Sequence, residues 1–208
     1  MIPVETLTAF FAAAVLLALA PGPDNIFVLT QSALHGRVSG VAVVLGLCTG
    51  LVGHTLAVAL GVAVIFQASA VAFTVLKLAG AAYLLYLAWQ AFRAPAARLA
   101  AADGGTVPFG RLYRRGIIMN LTNPKVSLFF LAFLPQFADP AHGPLSVQMI
   151  VLGAVFILAT ILVFGTIAVL AGMLGNLLGR SATIQRALNW LAGSVFIGLA
   201  TVLAVARR

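Results

Sequence analysis

Apolar residues along the chain gather into six long segments that short polar linkers separate. Each segment is close to the ~20 residues that a helix needs to cross the hydrocarbon core of a bilayer. Apolar runs of this length predict membrane-spanning helices. The sequence therefore predicts an all-α integral membrane protein with six transmembrane helices, at approximately residues 6–34, 39–66, 70–92, 113–137, 147–178 and 184–206.

Helix-breaking polar clusters interrupt the first and fourth segments. The first cluster is Pro21-Gly22-Pro23-Asp24-Asn25, and the second is Asn120-Leu121-Thr122-Asn123-Pro124-Lys125. In hydrocarbon, broken backbone and ionisable groups persist mainly where they line a cavity or a binding site. Two such breaks in corresponding halves of one chain are typical of a secondary transporter.

The prolines determine which backbone groups each break exposes. Pro21 frees the carbonyl of Leu17, and Pro124 frees that of Asn120, because proline has no amide hydrogen to donate. A new half-helix is expected to begin at Pro23, since proline suits the first turn. Its free N–H groups would present partial positive charge to an anion. Each break thus offers donors and acceptors at mid-membrane depth.

The two halves of the chain resemble each other. Residues 78–84 and residues 191–197 share a Leu-Ala-Gly pattern, and the breaks fall in the first helix of each half. Three helices per half is an odd number, so the second half must insert in the opposite orientation. The predicted architecture is one transmembrane domain, 1–208, with inverted repeats at about 1–92 and 113–208 and a cytoplasmic linker at about 93–112.

Composition supports the membrane assignment and excludes other classes. The 208-residue chain is 62% hydrophobic and 8% charged, more apolar surface than a soluble core can hide. The net charge of +8 is spread over linkers without a basic stripe, so nucleic-acid binding is rejected. The single Cys48 excludes an intramolecular disulfide and a cysteine-based metal site. No nucleotide-binding motif or metal-ligand spacing is found, so no cofactor and no enzymatic activity are expected.

Basic residues predict the orientation in the membrane. They occur in the first, third and fifth linkers and are absent from the second and fourth. By the positive-inside rule, the basic linkers face the cytoplasm and both termini lie outside a bacterial cytoplasmic membrane. The terminal pair Arg207-Arg208 violates the rule but is outnumbered. No Lys or Arg precedes the first apolar run, whereas Glu5 does, so this segment is expected to be a retained helix.

Asp24 and Lys125 are the ionisable residues of the two breaks. Asp24 is the only acid predicted to lie deep in the bilayer. Burial disfavours its charged form, whereas a half-helix N-terminus or Lys125 favours it, which makes Asp24 a candidate proton carrier. The alternative is a helix cap after Pro23. Lys125 is expected either to pair with Asp24 or to hold a substrate carboxylate.

The remaining polar candidates have two interpretations each. Asn25, Asn120 and Asn123 are expected to cap broken helix ends or to bind substrate, with capping favoured. His54 is a candidate for either an interhelical hydrogen bond or a proton relay. Glycines at four-residue spacing in the second segment predict close helix packing: Gly36 with Gly40, and Gly46 with Gly50.

Taken together, these motifs resemble the LysE/RhtB family of bacterial amino-acid exporters. The resemblance rests on Pro21-Gly22-Pro23-Asp24, the glycine-rich second segment, residues 76–84, and Gly116 followed by residues 120–125. It covers essentially the whole chain. It implies export of amino acids or close derivatives, coupled to the proton gradient. The expected partners are an amino-acid substrate, protons and the lipid bilayer, and homo-oligomerisation is left open.

The charge count favours a neutral substrate. A dibasic amino acid needs a second anion in a medium of low dielectric, and the chain offers only Asp24 beside the embedded Lys125 and Lys77. A neutral amino acid of the homoserine, threonine or leucine kind is therefore predicted, exported by proton antiport and alternating access. The alternatives are an exporter of basic amino acids and a passive channel or uncoupled facilitator.

Overall fold

The computed structural model describes residues 2–68, 70–94, 107–174 and 182–205. All regular secondary structure in these residues is helical. Three short turns of π or 3-10 helix follow α6, at Phe129–Phe133, Leu134–Phe137 and Pro140–His142. The α-helices are α1 (Val4–Leu19), α2 (Pro23–His35), α3 (Arg37–Ala68), α4 (Ala70–Arg93), α5 (Phe109–Thr122), α6 (Pro124–Leu128), α7 (Leu145–Leu174) and α8 (Ala182–Val205).

The first predicted segment is two helices, as the proline cluster predicts. Helix α1 ends at Leu19, and α2 begins with Gly22 as its N-cap and Pro23 in its first turn. The two helices are bent by 62° relative to each other. The bend follows from Pro21 and Pro23, which cannot donate helical hydrogen bonds to the carbonyls of Leu17 and Leu19.

The fourth predicted segment breaks in the same way. Helix α5 ends at Thr122, Asn123 is the N-cap of α6, and Pro124 occupies the first turn. The bend between α5 and the stretch from Pro124 to Phe137 is 50°. A π-helical turn follows at once, a rare conformation that is frequent at functional sites.

Length and composition identify several candidate membrane spans. Helices α3 and α7 qualify over Arg37–Gly61 and Leu145–Met173, and each bent pair qualifies as one further span, which gives up to four in the described residues. Helices α4 and α8 coincide with the third and sixth predicted segments, and α8 contains the shorter apolar stretch Asn189–Val205. The count of six spans stays a prediction. Of the predicted linker, residues 95–106 lie outside the described part, as do Arg180 and Arg207-Arg208.

Helix α3 is the centre of the packing, because it contacts both α5 and α7. Glycines allow this close approach. A methyl group added to Gly116 of α5 would lie 2.5 Å from the carbonyl oxygen of Val43, and one added to Gly46 would collide with the backbone of Tyr113. The prediction of close packing is therefore confirmed for Gly46. It is wrong for Gly36, which ends α2 at φ +83° and where an added methyl group would have nothing within 4 Å.

A cluster of phenylalanine rings fills the space between α1, α7 and the segment after α6. The ring centroids of Phe129 and Phe133 are 4.7 Å apart, and those of Phe10 and Phe137 are 5.1 Å apart. Phe156 of α7 packs against Phe129 with a centroid distance of 5.2 Å. We call these five residues the phenylalanine cluster. It lies in the half of the molecule that α1 and residues 124–137 form, on one side of the two breaks.

Candidate functional site at the two helix breaks

Lys125 reaches from the second break to the first. Its ammonium donates to the carbonyl oxygen of Ala20 at 3.0 Å and to that of Leu17 at 3.4 Å. The carbonyl of Leu17 is the one that Pro21 leaves without a donor. A cation at the C-terminal end of a helix is also favoured by the helix dipole. Lys125 is 6% exposed, so it lies in the interior and does not extend to an interface.

Asn25 supplies the next donor to the same helix end. Its Nδ2 donates to the carbonyl oxygen of Ala18 at 2.6 Å. The backbone N–H of Ala20 donates to the carbonyl of Leu16 at 3.0 Å. The last turn of α1 is therefore closed by side chains from both breaks, which confirms capping for Asn25.

Side chains also make hydrogen bonds to the broken helix ends at the second break. Asn123 accepts the backbone N–H of Lys125 on its Oδ1 at 3.0 Å, which confirms its role as the N-cap of α6. The carbonyl of Asn120 accepts the N–H of Asn123 at 3.1 Å. The Nε2 of His54, on α3, lies 3.2 Å from the same carbonyl oxygen and must be the donor, because a carbonyl only accepts. His54 thus makes the interhelical hydrogen bond that was one of its two interpretations.

Asp24 lies in the first turn of α2 and is 3% exposed. Gly22 occupies the N-cap position and makes no side-chain cap bond, so the cap interpretation of Asp24 finds no support. The polar side chains that interact with its carboxyl group are those of Asn123, Lys125, Asn120 and His54.

Asp24 and Lys125 do not form the contact ion pair that was one expectation for Lys125. The Nζ of Lys125 lies more than 4.0 Å from both carboxyl oxygens of Asp24. The reason is the position of the ammonium, which the carbonyls of Leu17 and Ala20 hold.

Four side-chain atoms at the breaks are buried without a hydrogen-bond partner. They are Oδ1 of Asp24, Oδ1 of Asn25, Oδ1 of Asn120 and Nδ2 of Asn123. Each of these residues is at most 9% exposed. An unsatisfied buried polar group costs about 1–3 kcal/mol, so several together make the breaks a candidate binding site.

Two glycines determine the space around these groups. A methyl group added to Gly22 would lie 3.0 Å from the Nζ of Lys125. One added to Gly50, in α3, would lie 2.7 Å from both Cβ and Oδ1 of Asn120. The sequence assigned Gly50 to helix packing only, whereas the structure places it directly against the side chain of Asn120.

All ten predicted site residues lie at the two breaks or against them. What the sequence reasoning missed is the aromatic surroundings. Phe196 of α8 lies 5.9 Å from the Nζ of Lys125, and the ring of Phe130 lies 5.5 Å from that of His54. A usable signal was present in Phe129-Phe130, Phe133 and Phe137, which recur at nearly helical spacing.

A separate cavity of about 450 Å³ opens where the start of α1 meets the turns after Phe133. Its lining includes Glu5, Gln136 and Asp139. His142 contacts Asp139 through Nδ1 and Oδ2 at 3.3 Å. Phe137 belongs both to this lining and to the phenylalanine cluster, so the cluster borders the cavity.

Comparisons with known proteins identify the family of the chain. A family model described as LysE type translocator matches residues 15–207. A homoserine/homoserine lactone efflux protein of Salmonella typhimurium is 38% identical over 199 residues, with 96% of each chain covered. An uncharacterised membrane protein of Vibrio cholerae is 36% identical, again with 96% of each chain covered. A leucine efflux protein of Salmonella choleraesuis is 29% identical over 94% of this chain and 92% of the relative. No solved structure matches the chain.

Proposed function

The chain belongs to the LysE type translocator family, a family of efflux transporters, and on this premise we propose that it exports amino acids across the bacterial cytoplasmic membrane. One observation carries the proposal. Two broken helices meet in the interior, and the buried Asp24, Asn120, Asn123 and Lys125 gather at their ends. Polar groups and broken backbone at such a depth are retained mainly where they line the site of a transported solute.

In the proposed architecture, six spans form two inverted three-helix repeats. The supporting feature is the likeness of the breaks: α2 and α6 each begin with a non-helical N-cap followed by proline, after a bend of 62° or 50°. Both termini face outside and linker 93–112 faces the cytoplasm, as the basic residues indicate. The half that contains the phenylalanine cluster is then the outer half.

Export proceeds by alternating access around the breaks. The phenylalanine cluster separates the breaks from the outer cavity, and Phe10, Phe129 and Phe133 are each at most 1% exposed. Opening to the outside therefore requires these rings to part. The site binds substrate from the cytoplasm while the cluster is closed and releases it into the cavity lined by Glu5 and Asp139.

Asp24 carries the coupling proton in this scheme. It is an acid buried at a helix break, and intramembrane acids generally serve transport. Proton uptake from outside neutralises the carboxylate and releases the substrate ammonium. Release of this proton to the cytoplasm resets the site. The membrane potential contributes about 2.3 kcal/mol to the driving force per charge moved per 100 mV.

The substrate is a neutral amino acid. Two relatives are named for homoserine, its lactone, or leucine, and these are 38% and 29% identical to this chain. The charge count agrees, because a second cation at the breaks would meet no second buried acid among the described residues.

Reconstitution into liposomes tests the proposal. Vesicles loaded with labelled homoserine, leucine, threonine, lysine or arginine are given an inward proton gradient, and release is measured with and without an uncoupler. Release of a neutral amino acid that the uncoupler abolishes is the expected result. Release that the uncoupler leaves unchanged would indicate a passive facilitator, and faster release of lysine or arginine would refute the neutral-substrate assignment.

A further inference from the structure

We propose that the breaks recognise the ammonium group of the substrate and not its carboxylate, with Lys125 acting as a structural cap of α1. This inference rests on the proposed function and specifies what the same site selects. It predicts that compounds with a free primary amine and an uncharged carboxyl derivative, such as amino-acid amides, bind as well as the free amino acids. Compounds with a blocked amine do not bind.

The first argument is that the ammonium of Lys125 is already engaged. It donates to the carbonyls of Ala20 and Leu17, neither of which has another donor in the described contacts. Gly22 approaches so closely that an added methyl group would lie 3.0 Å from Nζ, and the ring of Phe196 lies 5.9 Å away on another side. Two of the three hydrogens of the ammonium are therefore committed to backbone carbonyls, and turning them to a carboxylate would leave two buried acceptors unpaired.

The second argument is the chemistry of the unpartnered atoms. The amide of Asn25 has a fixed orientation, because Nδ2 donates to Ala18, so its unpartnered Oδ1 is an acceptor. The amide of Asn123 is fixed in the opposite sense, because its Oδ1 accepts from Lys125, so its unpartnered Nδ2 is a donor.

The unpartnered Oδ1 of Asp24 adds a second acceptor that carries charge, and Oδ1 of Asn120 adds a third. An ammonium has three hydrogens to donate, which matches this set. A carboxylate needs several donors, whereas the unpartnered buried side-chain atoms at the breaks include a single donor, Nδ2 of Asn123. These side chains therefore bind the ammonium group of the substrate and make few contacts with its carboxyl end.

Ligand-induced thermal stabilisation of the purified chain in detergent tests the inference without requiring transport. The panel is leucine and homoserine, each as the free acid, as the amide, and as the N-acetyl derivative. We expect each amide to bind within about threefold of its free acid, and the N-acetyl compounds to bind at least tenfold more weakly. Stabilisation by N-acetyl compounds, failure of the amides, or no stabilisation by any amine would overturn the inference.

Lys125→Gln sharpens the test. A structural cap predicts that the ratio of amide to acid affinity stays within about twofold of wild type, even if the variant is less stable. If Lys125 instead held the substrate carboxylate, the free acid would lose at least tenfold while the amide kept its affinity. The wild-type panel decides the question should the variant fail to fold. Counterflow of labelled leucine or homoserine in liposomes reports separately on export, so its absence would count against the proposed function alone.

Discussion

The Nζ of Lys125, at the second helix break, donates to the carbonyl oxygen of Ala20, at the first break, over 3.0 Å. The reverse connection also exists, because His54 of α3 donates to the carbonyl of Asn120. The C-terminal ends of α1 and α5 are thus each contacted by a side chain from the other half of the chain. Any movement that separates these groups breaks the two hydrogen bonds.

Asp24→Asn should insert and fold normally but lose proton-driven export. The substitution keeps the size of the side chain and removes the charge that a proton would neutralise. Release of substrate from liposomes with and without a proton gradient measures the effect. A variant that still exported in response to the gradient would show that coupling lies elsewhere, and His54→Gln would then be the next variant to examine.

Lys125→Met should lower the free energy of unfolding by about 2–4 kcal/mol, because two buried carbonyls lose their donor. Lys125→Arg keeps a cation and should recover part of this loss. Thermal unfolding in detergent provides the measurement. Since Lys125 and Asp24 make no contact ion pair in the described chain, the double variant with Asp24→Asn should be as unstable as Lys125→Met alone, and rescue by the second substitution would contradict the cap assignment.

Gly50→Ala should impair export, because the added methyl group would lie 2.7 Å from Oδ1 of Asn120 and displace it from the site. Gly61→Ala is the matched control on the same helix, since a methyl group there meets nothing within 4 Å. The control should be neutral or slightly stabilising, because alanine is the better helix former. Initial export rates at equal membrane levels compare the two, and equal rates would argue against positioning by Gly50.

Asn123→Ala should destabilise the chain by about 1 kcal/mol, because α6 loses its N-cap bond to the N–H of Lys125. Asn123→Ser restores a cap oxygen without the amide nitrogen. Serine should therefore recover stability but not substrate affinity, if Nδ2 contributes to binding. Thermal unfolding and ligand binding, measured on both variants, separate the two roles. Recovery of both stability and substrate affinity by serine would show that Nδ2 does not contribute to binding.

Single cysteines in a Cys48→Ser background should report the topology. A cysteine in linker 93–112 should react with an impermeant reagent only after the cells are opened, because the basic linkers face the cytoplasm. A cysteine at position 141, in the fourth linker, should react in intact cells. Labelling of linker 93–112 from outside would invert the topology and would place the phenylalanine cluster on the cytoplasmic side.

Local features of the chain account for what the sequence could predict. Helix α3, predicted at 39–66, runs from Arg37 to Ala68, and α4 runs from Ala70 to Arg93 against a prediction of 70–92. The two breaks occur at the prolines that predict them, because proline cannot donate the helical hydrogen bond. The π-helical turn at Phe129–Phe133 could not be foreseen, because it results from packing after the break and not from a residue that forbids an α-helix.

Hydropathy and proline chemistry are properties of neighbouring residues, so the sequence by itself determined the helices, the breaks and which polar residues lie at the breaks. Which donor meets which carbonyl was decided only by the tertiary structure. Lys125 and Ala20 are 105 positions apart, and His54 and Asn120 are 66 apart. The sequence suggested either Asp24 or a substrate carboxylate as the partner of Lys125, because charges can be identified from the sequence alone. Folding placed the freed carbonyls of α1 nearer to the ammonium, and the backbone took the hydrogen bonds.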